Sequence, residues 1–278
     1  MTASSAPAPI RGSAIQEALA SSVRPPAPGP LSTSLTFGWR AMLKIKHIPE
    51  QLLDVTVFPV MFTLLFTFLF GGALAGSTAD YLEFLVPGMI VQAVLLITMY
   101  TGMTLRADVE GGVFDRFRSL PVWRPSLIVG MLLGDAVRFA TAATATGLLS
   151  LALGWRPQGG FAGVGLGVGF LLIFAFSLGW VWAFLGLVLR SQSAVMSASM
   201  MVMMPLTFAS NIFVDPATMP VWLRTFVEFN PVSQIVTSVR HLANGVSVGP
   251  KVVHTLIWAT LFVAVFGSLT VWAYRRAR

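Results

Sequence analysis

The charged residues of this chain are concentrated in one stretch at 106–124, RADVEGGVFDRFRSLPVWR, in which seven of nineteen residues are charged. Side chains of both signs can pair across a protein surface and fix the register of a bound partner. Gly111 and Gly112 permit a tight turn in its middle. The flanking segments are long and apolar, so we predict a polar loop beneath a membrane domain that receives a mechanical input from another protein.

A second candidate site lies inside an apolar segment, where Asp135 and Arg138 stand three residues apart. An ionised side chain at membrane depth costs about 3 kcal/mol on insertion scales, so each of the two requires a partner. On one helix they can pair with each other. We expect a structural salt bridge, with gating or translocation as the alternative role.

The composition indicates an integral membrane protein that is all-α in class. Of 278 residues, 55% are hydrophobic and 10% are charged, and the mean hydropathy is +0.78. A helix crosses the roughly 30 Å hydrocarbon layer with about 20 apolar residues. The chain divides into six such spans, predicted at 52–74, 84–105, 126–153, 161–189, 194–213 and 252–274.

The segments outside the spans predict the topology. Residues 1–30 are rich in Ala, Pro and Ser, which predicts a disordered cytoplasmic tail without a cleaved secretory signal. Leu35, Trp39, Met42 and Ile45 recur at helical spacing, which predicts an amphipathic interfacial helix before the first span. With both termini cytoplasmic, thirteen Lys and Arg residues fall inside and four outside, as the positive-inside rule requires.

Two further patterns predict helix contacts and a pathway. Gly159, Gly163 and Gly167 lie four apart, and we expect them to pack within one subunit rather than between two. A stripe of flexible thioethers on the fifth span could contact an apolar cargo, although ordinary packing is the simpler interpretation. It consists of Met196, Met200 and Met203.

The segment 214–250 is too broken to span the membrane and too apolar to be a free loop. Asp215 and Asn230 each precede a proline, which predicts two short helices, and Asn244 with Gly245 predicts a stop. Irregular backbone at membrane depth must be covered by protein or line a cavity. We therefore predict that residues 214–250, called the outer segment below, form an extracellular re-entrant segment that serves as either an exit gate or a structural cap.

Several enzyme classes are excluded by what the sequence lacks. It has no cysteine and no G-x-x-x-x-G-K-[ST] phosphate loop, and its only lysines are Lys44, Lys46 and Lys251. His47, His241 and His254 show no metal-ligand spacing. We predict a chain that is not an enzyme, binds no metal or cofactor itself, and takes its energy from a partner. The dispersed basic residues do not predict a nucleic-acid partner.

Two stretches resemble a known family. The loop ADVEGGVFDRFRSLP is similar to the loop of type-2 ABC export permeases, especially the daunorubicin-resistance permease group. The resemblance covers nearly everything after residue 31. In the outer segment the same resemblance is carried by the order of Asn211, Pro220, Trp222, Asn230, Pro231, Gln234 and Arg240.

The resemblance implies a permease subunit of an ATP-driven exporter in the bacterial plasma membrane, with residues 31–278 as its transmembrane domain. It implies a separate ABC ATPase that binds ATP and Mg²⁺, a second permease copy, contact with membrane lipids, and an amphipathic drug, antibiotic or lipid as cargo. The coupling contact with the ATPase would consist of Glu110, Gly111, Gly112, Asp115, Arg116, Phe117 and Arg118. The candidate gate or pathway residues are Asp135, Arg138, Met196, Met200, Met203, Asn211, Asn230 and Pro231.

Three alternatives remain open at this stage. A polysaccharide or polymer export permease would have a wide, polar, aromatic-lined channel. A proton-coupled secondary transporter would use Asp135 as its titrating carrier. An intramembrane enzyme would need a catalytic pair on facing helices.

Overall fold

The computed structural model describes residues 29–46, 57, 59–69, 71, 77–112, 126–247 and 249–276. Within these ranges the chain is helical and contains no β-strand, which confirms the all-α class. The helices of the described residues are α1 (Pro30–Lys46), α2 (Pro59–Leu69), α3 (Thr78–Glu110), α4 (Ser126–Ala152), α5 (Gly160–Val188), α6 (Gln192–Phe208), α7 (Val221–Phe229), α8 (Pro231–Ala243) and α9 (Gly249–Arg276).

Four of the described helices are long and apolar enough to cross a bilayer, namely α3, α4, α5 and α9. They correspond to the spans predicted at 84–105, 126–153, 161–189 and 252–274. Helix α6 has 17 residues, a length of about 26 Å, and α2 has 11. Much of the predicted first span lies outside the described residues, so the count of six spans stays a prediction.

Helix α3 is the most buried of the four apolar helices and packs against α4, α5, α6 and α8. Its most apolar 18-residue window is 83% buried, whereas that of α9 is 17% buried. With 33 residues, α3 is about 50 Å long and exceeds the roughly 30 Å hydrocarbon layer. It therefore carries the beginning of the charged loop beyond the apolar region.

A helix, α1, forms where the amphipathic segment was predicted. It packs against α4, with Ser34 buried and Phe37 against the apolar cluster at the start of α4. Leu35 and Trp39 of the predicted stripe are each 64% exposed. The place of α1 at the membrane interface stays a prediction, and residues 1–28 and 47–50 lie outside the described residues.

The outer segment is folded largely as its turn residues indicate. Helix α8 begins after Asn230, whose Oδ1 accepts a hydrogen bond from the Val232 amide at 2.9 Å, and it ends before Gly245, whose φ is 68°. The short helix predicted at Asp215 is present as a 3₁₀ helix. Asp215 caps a single 3₁₀ turn, Pro216–Thr218, and the next helix, α7, begins only at Val221.

The predicted glycine stripe is the contact surface between α5 and the end of α8. A Cβ atom on Gly163 would clash with the carbonyl oxygen of Leu242, and one on Gly159 would lie 2.5 Å from the same oxygen. Only a residue without a side chain permits this approach. The stripe is therefore used for packing inside the chain, as expected.

Gly163→Ala should lower the stability of the protein by about 1–3 kcal/mol, because the added methyl group overpacks the α5–α8 contact. Gly165 lies two residues away on the same helix and has no atom within 4 Å of its Cβ position. Gly165→Ala should be neutral or stabilising, since Ala is the better helix former by about 1 kcal/mol. The measurement is thermal unfolding of the purified chain in detergent, and equal midpoints for both variants would contradict the packing.

Candidate functional site

A cavity of about 410 Å³ lies between α2, α3 and α6, and we call it the chamber. Its wall is mostly apolar, with polar groups at Gln92 and Tyr100. Thioethers and aromatic rings make up much of the remainder, so the wall can adapt to varied apolar shapes. The principal apolar side chains are Phe62, Leu96, Met99, Met196, Met200, Met204 and Phe208.

The methionine stripe predicted on α6 is only partly at the chamber. Met196 and Met200 line it, but Met203 is fully buried in the hydrophobic core. Met204 lines the chamber in its place. Met204 follows Met200 by four residues and therefore lies on the same face of α6, toward the chamber. Met203 is rotated by 100° from Met204 and points into the core.

Gln92 is the feature of the chamber that sequence reasoning missed. It lies in the middle of α3, is 5% exposed, and its Oε1 has no hydrogen-bond partner among the described residues. An unsatisfied buried amide costs about 1–3 kcal/mol. The available signal was an amide within an otherwise apolar run, IVQAVLLI, but only charged residues were considered at membrane depth.

Asp135 and Arg138 form the predicted ion pair, with 3.0 Å between Arg138 Nη1 and Asp135 Oδ1. The second carboxylate oxygen of Asp135, Oδ2, accepts a hydrogen bond from the Thr101 hydroxyl at 2.7 Å. Both charged residues are buried, and neither lines the chamber. The ion pair lies within α4, and Asp135 joins α4 to α3 through Thr101. Gating or translocation, the alternative role of the pair, stays a prediction.

Glu110 lies at the end of α3 and bonds to one residue of α3 and one residue of α6. Its Oε1 accepts a hydrogen bond from Arg106 Nε at 3.0 Å, and its Oε2 accepts one from Gln192 Nε2 at 3.1 Å. Gln192 is the first residue of α6 and was not singled out in the sequence. The start of the charged loop is therefore tied directly to a chamber helix.

The predicted tight turn follows Glu110. The Gly111 amide donates to the Ala107 carbonyl at 2.9 Å, and Gly112 has a φ of 65°, a conformation that favours glycine. The remaining predicted coupling residues lie outside the described residues. They are Asp115, Arg116, Phe117 and Arg118.

The opposite end of α6 is tied to the outer segment by Asn230. Its Nδ2 donates to the carbonyl oxygens of Leu206 and Ala209, each at 2.7 Å. These carbonyls lie at the end of a helix and have no following turn to bond to. Pro231 lies in the first turn of α8. Asn230 therefore caps the start of α8 and also satisfies the carbonyls at the end of α6.

Arg240 and Asn211 hold the outer segment against α3. Arg240 Nη2 donates to the Asn211 carbonyl at 2.9 Å, Arg240 Nε donates to the Phe84 carbonyl at 3.1 Å, and the guanidinium lies 4.0 Å from the centre of the Phe84 ring. The Asn211 side chain donates to the Thr237 hydroxyl at 2.8 Å. Burial lowers the pKa of Arg240 to about 10, so the group remains charged at neutral pH.

The start of the charged loop, the methionine stripe and the outer segment thus all contact or lie on α6. Glu110 contacts the first residue of α6, the chamber lies along its middle, and Asn230 contacts its last turn. Asp135 and Arg138 stand apart from this line. No group of three or more His, Cys, Asp or Glu residues suited to a metal ion occurs within the described ranges.

Asp135→Leu should destabilise the protein by about 3–5 kcal/mol, because it leaves Arg138 buried without its carboxylate partner. The double variant Asp135→Leu with Arg138→Leu should recover most of that loss, since neither charge then remains. Thermal unfolding of the purified chain in detergent measures both.

The exposed pair of Arg224 and Glu228, 3.1 Å apart, is the matched control. Glu228→Leu should change stability by less than about 1 kcal/mol. If the double variant were as unstable as Asp135→Leu alone, a purely structural role for the buried pair would be contradicted.

Comparison with known proteins gives consistent matches along this chain. A family model described as ABC-2 type transporter matches residues 34–244. The sequence is 45% identical over 267 residues to the daunorubicin resistance ABC transporter permease protein DrrB1 of Streptomyces coeruleorubidus, covering 96% of this chain and 94% of that protein. It is 22% identical over 227 residues to the probable doxorubicin resistance ABC transporter permease protein DrrC of Mycobacterium tuberculosis, covering 81% and 82%.

Proposed function

Because this chain belongs to the ABC-2 type transporter family, we propose that it is the membrane permease subunit of an ATP-driven drug exporter. The names of its relatives refer to daunorubicin and doxorubicin resistance, so an amphipathic drug or antibiotic of that kind is the cargo we favour. A membrane lipid has the same amphipathic character and belongs to the same cargo class.

The chamber is the observation that carries this proposal. Its volume of about 410 Å³ falls within the range of small-molecule sites, roughly 300–1,000 Å³. Thioethers and aromatic rings suit a planar apolar ring system, and the Gln92 amide suits a hydroxyl or amino group on its edge. Gln92 Oε1 has no partner among the described residues, so a hydrogen bond from the cargo would offset the cost of burying it.

The proposed topology places six spans in the bacterial plasma membrane, with α1 on the cytoplasmic interface and both termini cytoplasmic. The Glu110 end of α6 then faces the cytoplasm, and the Asn230 end faces the outside. The segment 214–250 covers the chamber helices from outside and serves as the exit gate.

Energy reaches the chamber through the loop at 106–124. A separate ATPase subunit binds ATP and Mg²⁺ and presses on this loop, whose coupling residues include Asp115, Arg116 and Arg118. Glu110 transmits the movement to α6 because it bonds to Gln192. Two permease copies enclose the pathway, which opens alternately to the two sides.

The alternatives are less well supported. Both carboxylate oxygens of Asp135 accept hydrogen bonds within the chain, which does not suit a proton carrier that must load and release. The largely apolar chamber wall does not suit a hydrated sugar polymer.

Gln192→Leu should uncouple ATP hydrolysis from transport, because it removes the bond between Glu110 and α6 but leaves the loop intact. We expect the chain to co-purify with its ATPase while drug-stimulated ATPase activity in lipid discs falls several-fold. Glu110→Ala with Arg116→Ala should in addition weaken the complex.

Glu83→Gln is the matched control, since Glu83 is an exposed carboxylate near the opposite end of α3. It should leave both association and stimulation at the wild-type level. Full drug stimulation in Gln192→Leu would show that α6 does not receive the movement through this bond.

Gln92→Leu should stabilise the chain and weaken drug binding at once. Removing the unsatisfied amide recovers about 1–3 kcal/mol of folding free energy, but the cargo loses its hydrogen-bonding group. The measurements are thermal unfolding in detergent and the drug concentration that half-maximally stimulates the ATPase, which should rise several-fold.

Two tryptophan variants test whether the chamber itself takes the cargo. Met200→Trp fills the chamber and should depress stimulation strongly, whereas Met201→Trp adds the same bulk at a side chain that is 82% exposed. Equal effects of these two variants would argue that the drug binds elsewhere.

A further inference from the structure

A second pocket, of about 280 Å³, lies between α9 and the turn from α7 to α8. It shares no lining residue with the chamber, and no step of the proposed transport cycle uses it. Its wall combines opposite charges with apolar groups. The residues that matter here are Glu228, Gln234, Lys251, His254, Ile257 and Trp258.

The polar part of this pocket offers both a cation and unused acceptors. No hydrogen bond or ion pair joins the Lys251 ammonium to another described residue. Glu228 Oε1 accepts a hydrogen bond from Arg224 Nε at 3.1 Å, which leaves Oε2 available. Gln234 donates through Nε2 to the Glu228 carbonyl, while its Oε1 is buried without a partner among the described residues.

The apolar part of the pocket lies deeper along the same helix. Trp258 follows Lys251 by seven residues, two helical turns and about 10 Å along the axis, and His254 lies between them. Ile257 is 57% exposed. A small ion would contact only the polar residues in the first turn of α9. An amphiphile would contact these residues and also the apolar side chains further along the helix.

We propose that this pocket binds an aminophospholipid of the outer leaflet. The phosphate lies against Lys251 and His254, and the primary ammonium donates to the Glu228 carboxylate and to Gln234 Oε1. An acyl chain follows Ile257 and Trp258. Charge complementarity selects this lipid, because the wall offers a cation to an anion and two acceptors to an N–H donor.

The lipid would add a contact between two helices that already pack together, with the Ser238 and Thr255 hydroxyls 3.3 Å apart. Gln234 belongs to α8 in the outer segment, and Lys251 lies in the first turn of α9, whose apolar window is only 17% buried. A bound headgroup therefore fixes the outer segment to the most exposed span. This role is independent of drug export.

The test is lipid binding by the purified full-length chain in detergent, followed by native mass spectrometry and thermal unfolding. The probes are phosphatidylethanolamine, phosphatidylcholine and phosphatidylglycerol with identical acyl chains. Phosphatidylethanolamine should bind about tenfold more tightly than phosphatidylcholine, which has no N–H donor. Lys251→Gln should weaken its binding by a similar factor.

Arg275→Gln is the matched control, because it removes one exposed positive charge at the other end of α9. It should leave the preference for phosphatidylethanolamine unchanged, and circular dichroism should show the same helix content in both variants. No transport is measured, so failure of the lipid site and failure of the export proposal are observed separately.

Four results would overturn the proposal. Equal binding of phosphatidylcholine would exclude a site for the primary ammonium. Binding of phosphatidylglycerol as tightly as phosphatidylethanolamine would show that Lys251 attracts any lipid phosphate and that the ammonium is not recognised. Glycerophosphoethanolamine binding as tightly as the lipid would remove the acyl contact. Displacement of the lipid by daunorubicin would make the pocket a cargo site.

Discussion

The rest of the structure depends on how the two ends of α6 are satisfied. In lipid, backbone carbonyls at a helix end need partners from the protein itself. Asn230 supplies them at the end of α6 by donating to the Leu206 and Ala209 carbonyls. At the start of α6 the Ser191 hydroxyl accepts a hydrogen bond from the Ala194 amide, and the Gln192 side chain donates to Glu110. A helix of 17 residues thus joins the outer segment, the chamber and the beginning of the charged loop.

The chamber exists beside an otherwise well-packed core. Helix α3 fills its remaining faces with contacts to α4, α5 and α8, and Asp135 with Arg138 and Thr101 neutralises the charges inside the bundle. Several buried polar atoms of the described residues have no hydrogen-bond partner, and Gln92 Oε1 is the one among them that belongs to a residue lining the chamber. A buried polar atom without a partner lowers stability, and such residues are expected where a protein binds a ligand.

The central helix α3 and the peripheral helix α9 differ in how far they are buried. Helix α3 is buried along most of its length, whereas α9 presents most of its surface outward. Arg240 ties the outer segment to the central helix through backbone carbonyls and the Phe84 ring. The central helix therefore carries the contacts that position the chamber.

Local features were predictable from the sequence: the membrane class, four spans, the start of α8 at Asn230, the turn at Gly112, and the pairing of Asp135 with Arg138. Each depends on composition, helical period or neighbours a few residues away. Only the tertiary structure placed Met204 rather than Met203 at the chamber, left Gln92 Oε1 without a partner among the described residues, and joined Glu110 to Gln192 across 82 residues of sequence. Those contacts depend on how separate helices are rotated and offset against one another, which the period of any single helix does not specify.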